Sequence, residues 1–287
     1  MMRLGSIAFV NSLPVEWGLR SGAVTADAEL VRGTPAELNG RILTKGLEVS
    51  PVSALWYAEH QRELLLLSGL SISSESSVES VLLFSKRPLA GLSGKKIAVT
   101  DQGRTTPALL EILCRLRYGF EPVCHSREGV EGDDLEGADA LLLIGDEALL
   151  AKERLKRSGL HIIDLAEEWR AWTGLPIVFA VWAVRRDIFA AQAEAVVKLR
   201  AALLASKRWG LSHREDVFAA AQLESGLSKS ILENYFPRLS YDLNDTLKEG
   251  MRLYFEYAAR CGLLGAVGEL EEVMDDKLIP SPLWGEG

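Results

Sequence analysis

Two small polar side chains, Asn11 and Ser12, stand where an apolar stretch ends and directly before Leu13-Pro14. Residues 4–10 read as a short buried strand, and Pro14 opens a helix over 15–20 at a position where its missing N–H costs nothing. Free N–H groups at a helix start favour anions, and in open α/β sheets ligands sit at the carboxyl ends of strands. This junction is therefore a candidate carboxylate or phosphate cradle, with simple capping by Asn11 and Ser12 as the alternative. The design recurs. Ser50 and Ser53 flank Pro51-Val52, Ser76 and Ser77 lie in a serine-rich stretch, and Arg104-Thr105-Thr106 precedes Pro107. Gly145-Asp146 follows the apolar run 140–144. Hydroxyls and helix-start N–H groups suit carboxylates, and a guanidinium adds a bidentate partner. Gly145 allows close backbone approach, while Asp146 can cap its helix or receive a substrate hydroxyl. Taken singly, each serine or threonine reads equally as a cap or a solvated loop residue; five such junctions around one cleft read as a binding site.

Other chemistries lack their residues. The four histidines (His60, His125, His161, His213) stand apart from one another and from any nucleophile. No zinc-protease, nucleophile-elbow, phosphate-loop or dinucleotide motif occurs. An enzyme of this composition works by positioning and electrostatics, or borrows a base from its substrate. Three cysteines, an odd number without metal spacing, read as reduced thiols, with Cys114 in the core. No metal and no cofactor are expected. A net charge of -8 without a basic run argues against nucleic acid as a partner, though a local pocket can still take an acidic ligand. No apolar run approaches a membrane span, and Met1-Met2 leads straight into the first strand, so a cytoplasmic protein is expected.

The elements that must position these residues form two α/β series. Strands are expected at 4–10, 29–31, 47–49, 64–67 and 81–84, with helices between; the helix from Thr34-Pro35 to about 44 carries a capping box closed by Glu37. A second series begins with the strand at 96–99 and continues through a helix at 107–118, strands at 140–144 and 161–163, and an apolar return strand at 178–184. The remainder is helical by its apolar spacing. Trp182 reads as core packing or as an aromatic wall, and Trp169 with Trp172 as packing. One series inserted in the other implies an α/β, two-lobed, periplasmic-binding-protein-like (type II) fold. Residues 1–86 and 183–287 would form the larger lobe and 87–182 the smaller, hinged near 84–89 and 177–184 around a central cleft.

These stretches together resemble a known family. The opening GSIAFVNSLP, the SPVS turn, SSVESV, GRTT, IGDEAL and WxxxTGLPIVFAVW are similar to chorismate dehydratase of the futalosine route to menaquinone, the MqnA family. The resemblance runs to about Trp182. A sister family, the dihydroxynaphthoate synthases, carries a His-Glu pair where this chain has Gly145-Asp146, so the dehydratase is favoured. Glu48 departs from the family's usual Asp, and Gly103 and Thr106 from its frequent Ser. The resemblance implies a hydro-lyase that takes the small molecule chorismate to 3-(1-carboxyvinyloxy)benzoate and water. It is expected to need no side-chain base: the substrate's enolpyruvyl carboxylate takes the proton while Asn11 orients it. Ser76, Ser77, Thr105 and Thr106 hold the carboxylates, and Asp146 contacts the leaving hydroxyl or, in a rival assignment, is itself the acid or base. Ser12, Ser50, Ser53, Arg104 and Gly145 complete the expected contacts. Alternatives are the sister synthase, a solute-binding protein and a regulator's effector domain; the oligomeric state, monomer or homodimer, is left open.

Overall fold

The structure, a computed structural model, describes residues 1–100, 103–127, 135 and 137–274. The chain starts with β1 (Met2–Ile7), a 3₁₀ turn (Val10–Ser12) and α1 (Leu13–Arg20), then β2 (Ala28–Gly33), α2 (Pro35–Leu43), β3 (Val49–Ser53), α3 (Ala54–Glu59) and β4 (Leu64–Ser74). It continues through β5 (Val81–Ser85), β6 (Lys96–Thr100), α4 (Thr105–Ile112), β7 (Val123–Arg127), β8 (Ala140–Ile144), α5 (Gly145–Leu155), β9 (His161–Asp164) and α6 (Leu165–Thr173). Strand β10 (Ile177–Arg185) precedes α7 (Arg186–Ser212), α8 (Arg214–Ser225), α9 (Lys229–Tyr235), α10 (Asp245–Arg260) and β11 (Glu272–Val273).

Two sheets result, ordered β11-β4-β10-β3-β1-β2 and β7-β6-β8-β5-β9. In the first, β1 runs parallel to β2 and β3, and β10 lies antiparallel between β3 and β4. In the second, β6 is parallel to β7 and β8, whereas β5 is antiparallel to both β8 and β9. The expected boundaries at 86/87 and 182/183 put residues 81–84 with the first lobe and 177–182 with the second. Sheet membership runs the other way: β5 pairs in the second sheet, and the whole of β10 in the first. Strands apolar on both faces show that they are buried, and say nothing of which sheet buries them.

Local chemistry explains some element ends. Thr34 and Glu37 close the expected capping box, with Thr34 N–H donating to Glu37 Oε2 (2.9 Å) and Glu37 N–H to Thr34 Oγ1 (3.3 Å). The first junction differs from expectation: β1 stops at Ile7, and Ser12 makes no side-chain cap on α1. The Ser12 hydroxyl turns back to the carbonyls of Ile7 (3.3 Å) and Phe9 (3.2 Å). The serine-rich stretch also behaves differently, because β4 runs on to Ser74 and buries its hydroxyls. Ser73 Oγ donates to the Ser240 carbonyl (3.0 Å) and Ser74 Oγ to that of Arg238 (3.0 Å), which binds β4 to the segment after α9. Helix α1 packs on α7 through small residues: a Cβ at Gly18 would lie 2.8 Å from Ser206 Cα, and one at Gly210 would fall on the Pro14 carbonyl. Trp169 and Trp182 are both fully buried in the core.

Candidate functional site

A cavity opens between the strand ends of the two sheets. From the first sheet it takes Ile7, Phe9 and Asn11 beside β1, Pro51 to Ser53 of β3, Ile72 of β4, and Phe179 and Ala180 of β10. From the second it takes Ser80 and Val81 at the start of β5, Ile144 and Gly145 where β8 becomes α5, and Gly103 to Thr106 at the start of α4. The walls are largely apolar, the polar groups are hydroxyls, an amide and helix-start N–H groups, and Arg104 is the single charged residue among the described residues of the lining. Such a space suits a flat hydrocarbon ring carrying polar or anionic ends.

The expected residues divide into those that reach this wall and those that do not. Asn11, Ser53, Arg104, Thr105, Thr106 and Gly145 all line it, with Gly103. Asn11 Oδ1 is buried without a hydrogen-bond partner, an open acceptor in the 3₁₀ turn. Asn39 clamps Ser53 from behind: Nδ2 donates to Ser53 Oγ and Oδ1 accepts from Ser53 N–H, both at 3.4 Å. That leaves the Ser53 hydroxyl proton for the cavity. Thr105 Oγ1 accepts the Leu55 N–H (3.1 Å), and its carbonyl accepts the Tyr254 hydroxyl (2.9 Å), which fixes the start of α4 against α3 and α10. The Arg104 guanidinium is half-exposed at the rim and is paired with Glu59 of α3.

Ser12, Ser50, Ser76 and Ser77 are absent from the lining. Ser12 is spent on the backbone of its own turn, as above. Ser50 donates to the Pro51 carbonyl (2.9 Å) and is buried beneath Gly5, where a Cβ would collide with its oxygen. Ser76 is exposed, and Ser77 accepts Arg238 Nη1 (2.7 Å) on the outer side. The serine of this stretch that does reach the cavity is Ser80, whose Oγ accepts the hydroxyl of buried Tyr235 (2.9 Å). Looking only at carboxyl ends of strands passes over it. Because β5 is antiparallel to β8, with Val81 opposite Ile144, it brings its amino end to the same place as the carboxyl end of β8. Tyr235 adjoins Asn11 and Ser80; burial raises its pKa, and hydrogen bonding to those two side chains opposes the rise.

Two carboxyl groups sit behind the wall. Asp146, at the start of α5, is outside the lining, and its Oδ1 accepts the Val10 N–H (3.3 Å). Burial pushes its pKa to about 6, partly offset by that bond. Glu16 of α1, which sequence reasoning passed over, is fully buried beneath the turn. Ser6 Oγ donates to its Oε2 (2.5 Å) and Ile7 N–H to its Oε1 (3.4 Å). Burial pushes its pKa to about 7 against those bonds and the more distant Arg20. Its one signal in the sequence is an acid at position 16 among the apolar neighbours Val15, Trp17 and Leu19. Among the described residues no three His, Cys, Asp or Glu side chains gather as metal ligands, and no helix is long and apolar enough to cross a membrane.

Solved structures similar to this one share its architecture. A crystal structure from Archaeoglobus fulgidus matches with a TM-score of 0.75 and 22% identity, covering 92% of this chain and 98% of that one. The alkanesulfonate-binding protein SsuA of Xanthomonas axonopodis pv. citri, bound to MOPS, matches with a TM-score of 0.67 and 14% identity, over 92% and 94%. A Candida albicans protein described as having the generic periplasmic binding protein fold matches at 0.68 and 11%, over 96% and 98%. The fold is thus periplasmic-binding-protein-like, as the order of elements implied. By sequence, the chain is 32% identical over 267 residues to a chorismate dehydratase of Thermus thermophilus, covering 88% of this chain and 93% of the relative. Residues 2–260 match the family described as menaquinone biosynthesis. The chain, with its donor-lined cleft between two sheets, belongs to that menaquinone biosynthesis family.

Proposed function

We propose that the protein is a hydro-lyase of the cytoplasm that converts chorismate to 3-(1-carboxyvinyloxy)benzoate and water. The similarity to the Thermus dehydratase across nearly the whole chain carries this reading. The chemistry of the cavity supports it. Chorismate offers a flat ring for the apolar walls, two carboxylates for the hydroxyls and helix starts, and a ring hydroxyl. Its C3 proton is acidified through the conjugated ring carboxylate. Loss of that proton and of the C4 hydroxyl makes the ring aromatic, so the protein has little to supply beyond orientation and charge stabilisation.

Thr105, Thr106 and the start of α4 hold one carboxylate, with Ser53 and Ser80 as further donors. The enolpyruvyl carboxylate, oriented by Asn11, takes the C3 proton and passes it to the departing hydroxyl as water. Among the described residues the lining contains no histidine to serve as a base, which favours the dehydratase over the sister synthase. The two sheets act as the cores of two lobes, divided at the crossings after β4 and before β10, that close on the substrate and hold its side chain away from the competing rearrangement. Incubating the purified protein with chorismate while recording the ultraviolet spectrum tests the proposal. The diene absorbance should give way to that of a substituted benzoate of the expected mass. Chorismate recovered unchanged refutes it, whether the protein binds the compound or ignores it; conversion of cyclised futalosine instead would establish the sister activity.

A further inference from the structure

Residues 145 and 146 belong to the second-sheet side of the cavity, yet both engage the turn that carries Asn11 on the first-sheet side. Asp146 Oδ1 accepts the N–H of Val10, the first residue of that turn (3.3 Å). A 3₁₀ turn leaves its first N–H groups without partners inside the turn, and Val10 is buried from water, so the carboxylate supplies the missing acceptor. Gly145 adds a second contact. It sits at φ 61° with the Phe9 ring against its Cα, so that a Cβ would lie 3.1 Å from the ring carbons. Residues 9 and 10 are thus gripped from the opposite sheet immediately before Asn11. Asp146 itself does not line the cavity.

We propose that Asp146 is a positioning residue, which acts on the substrate through the Val10–Asn11 backbone by bringing the Asn11 amide to its working place when the two sides meet. This rests on the chorismate reading. It differs from a role as acid or base because the bond needs an acceptor and not a charge. The groups around the carboxylate are Glu147 on its own helix, Glu224 of α8 and Arg32 of β2, with Tyr235 of α9 nearby. Glu224 is itself held by Arg20 of α1 and by Arg32.

A double-mutant cycle on chorismate turnover tests the proposal. In the wild-type background D146A should lower kcat roughly tenfold, the loss of one well-placed contact, while in an N11A background it should cost about twofold or less. D146N keeps an oxygen facing Val10 N–H and should recover most of the loss. Its kcat profile should keep the wild-type shape through pH 6, because the protonated carboxyl also offers an oxygen to Val10 N–H. Equal losses in both backgrounds would mark Asp146 as a structural residue, and D146N as inactive as D146A would mark it as an acid–base group; either overturns the proposal. If melting shows that D146A does not fold, D146N decides, since an acid limb that it abolishes, or a turnover as low as that of N11A, refutes the proposal equally. Absence of turnover by the wild-type protein is a separate outcome, which removes the chorismate reading and this inference with it.

Discussion

Glu16 makes the most quantitative forecast. Its carboxyl is fully buried in α1, bonded to Ser6 Oγ and Ile7 N–H, and burial lifts its pKa from 4.5 to about 7. The folded protein therefore keeps a proton that the unfolded chain has already lost between those values, and stability falls as the pH rises across that window. The cost is fully present above pH 7, and the interval corresponds to about 3 kcal/mol. Glu16→Gln keeps an acceptor for Ser6 or Ile7 and cannot ionise. Urea unfolding of both proteins at about pH 5, 6, 7 and 8 yields the difference in stability at each pH. That difference should move in favour of the glutamine variant by roughly 3 kcal/mol over this range. Asp146 shifts in the same sense between 3.8 and about 6, but is common to both proteins and cancels. Parallel curves, diverging by less than about 1 kcal/mol, would refute the account of Glu16 as a carboxyl held neutral by burial.

Further expectations concern the wall and its supports. Asn11→Ala should reduce chorismate turnover by roughly 10²-fold or more in steady-state assays, and near-normal turnover would remove Asn11 from the mechanism. Asp164 accepts four backbone N–H groups, those of Val78 (2.8 Å), Glu79 (2.7 Å), Ala166 (2.9 Å) and Glu167 (3.3 Å), and so caps α6 while holding the segment that presents Ser80. Asp164→Ala should cost about 3 kcal/mol or more, which calorimetry would read as a melting temperature lower by roughly 5–10 °C. Gly210→Ala should destabilise by about 1–3 kcal/mol, because the added methyl meets the Pro14 carbonyl where α1 and α7 cross; an unchanged urea midpoint would contradict that close approach.

Much of this molecule is legible one element at a time. The capping box at Thr34 and Glu37, the strand at 140–144 leading into Gly145, and the helix starts at Pro14 and Thr105 are local decisions, made by residues within one turn of each other. Their order along the chain was enough to imply the periplasmic-binding-protein-like α/β architecture, and the hydroxyls at helix starts raised the expectation of an anion-binding cleft. Which hydroxyl faces the cleft was a tertiary decision. Ser50 and Ser53 look alike in sequence, but Gly5 closes over one while Asn39 turns the other toward the cavity. Ser80 gains its place from the antiparallel pairing of β5 with β8, and β5 itself changes sheet relative to the sequence reading. Asp146 takes its partner from residue 10 and Tyr235 its partner from residue 80. Composition and spacing report what a residue can bond to within its own turn; sheet pairing and burial choose among partners a hundred residues away, and those choices set which polar groups remain open to a ligand.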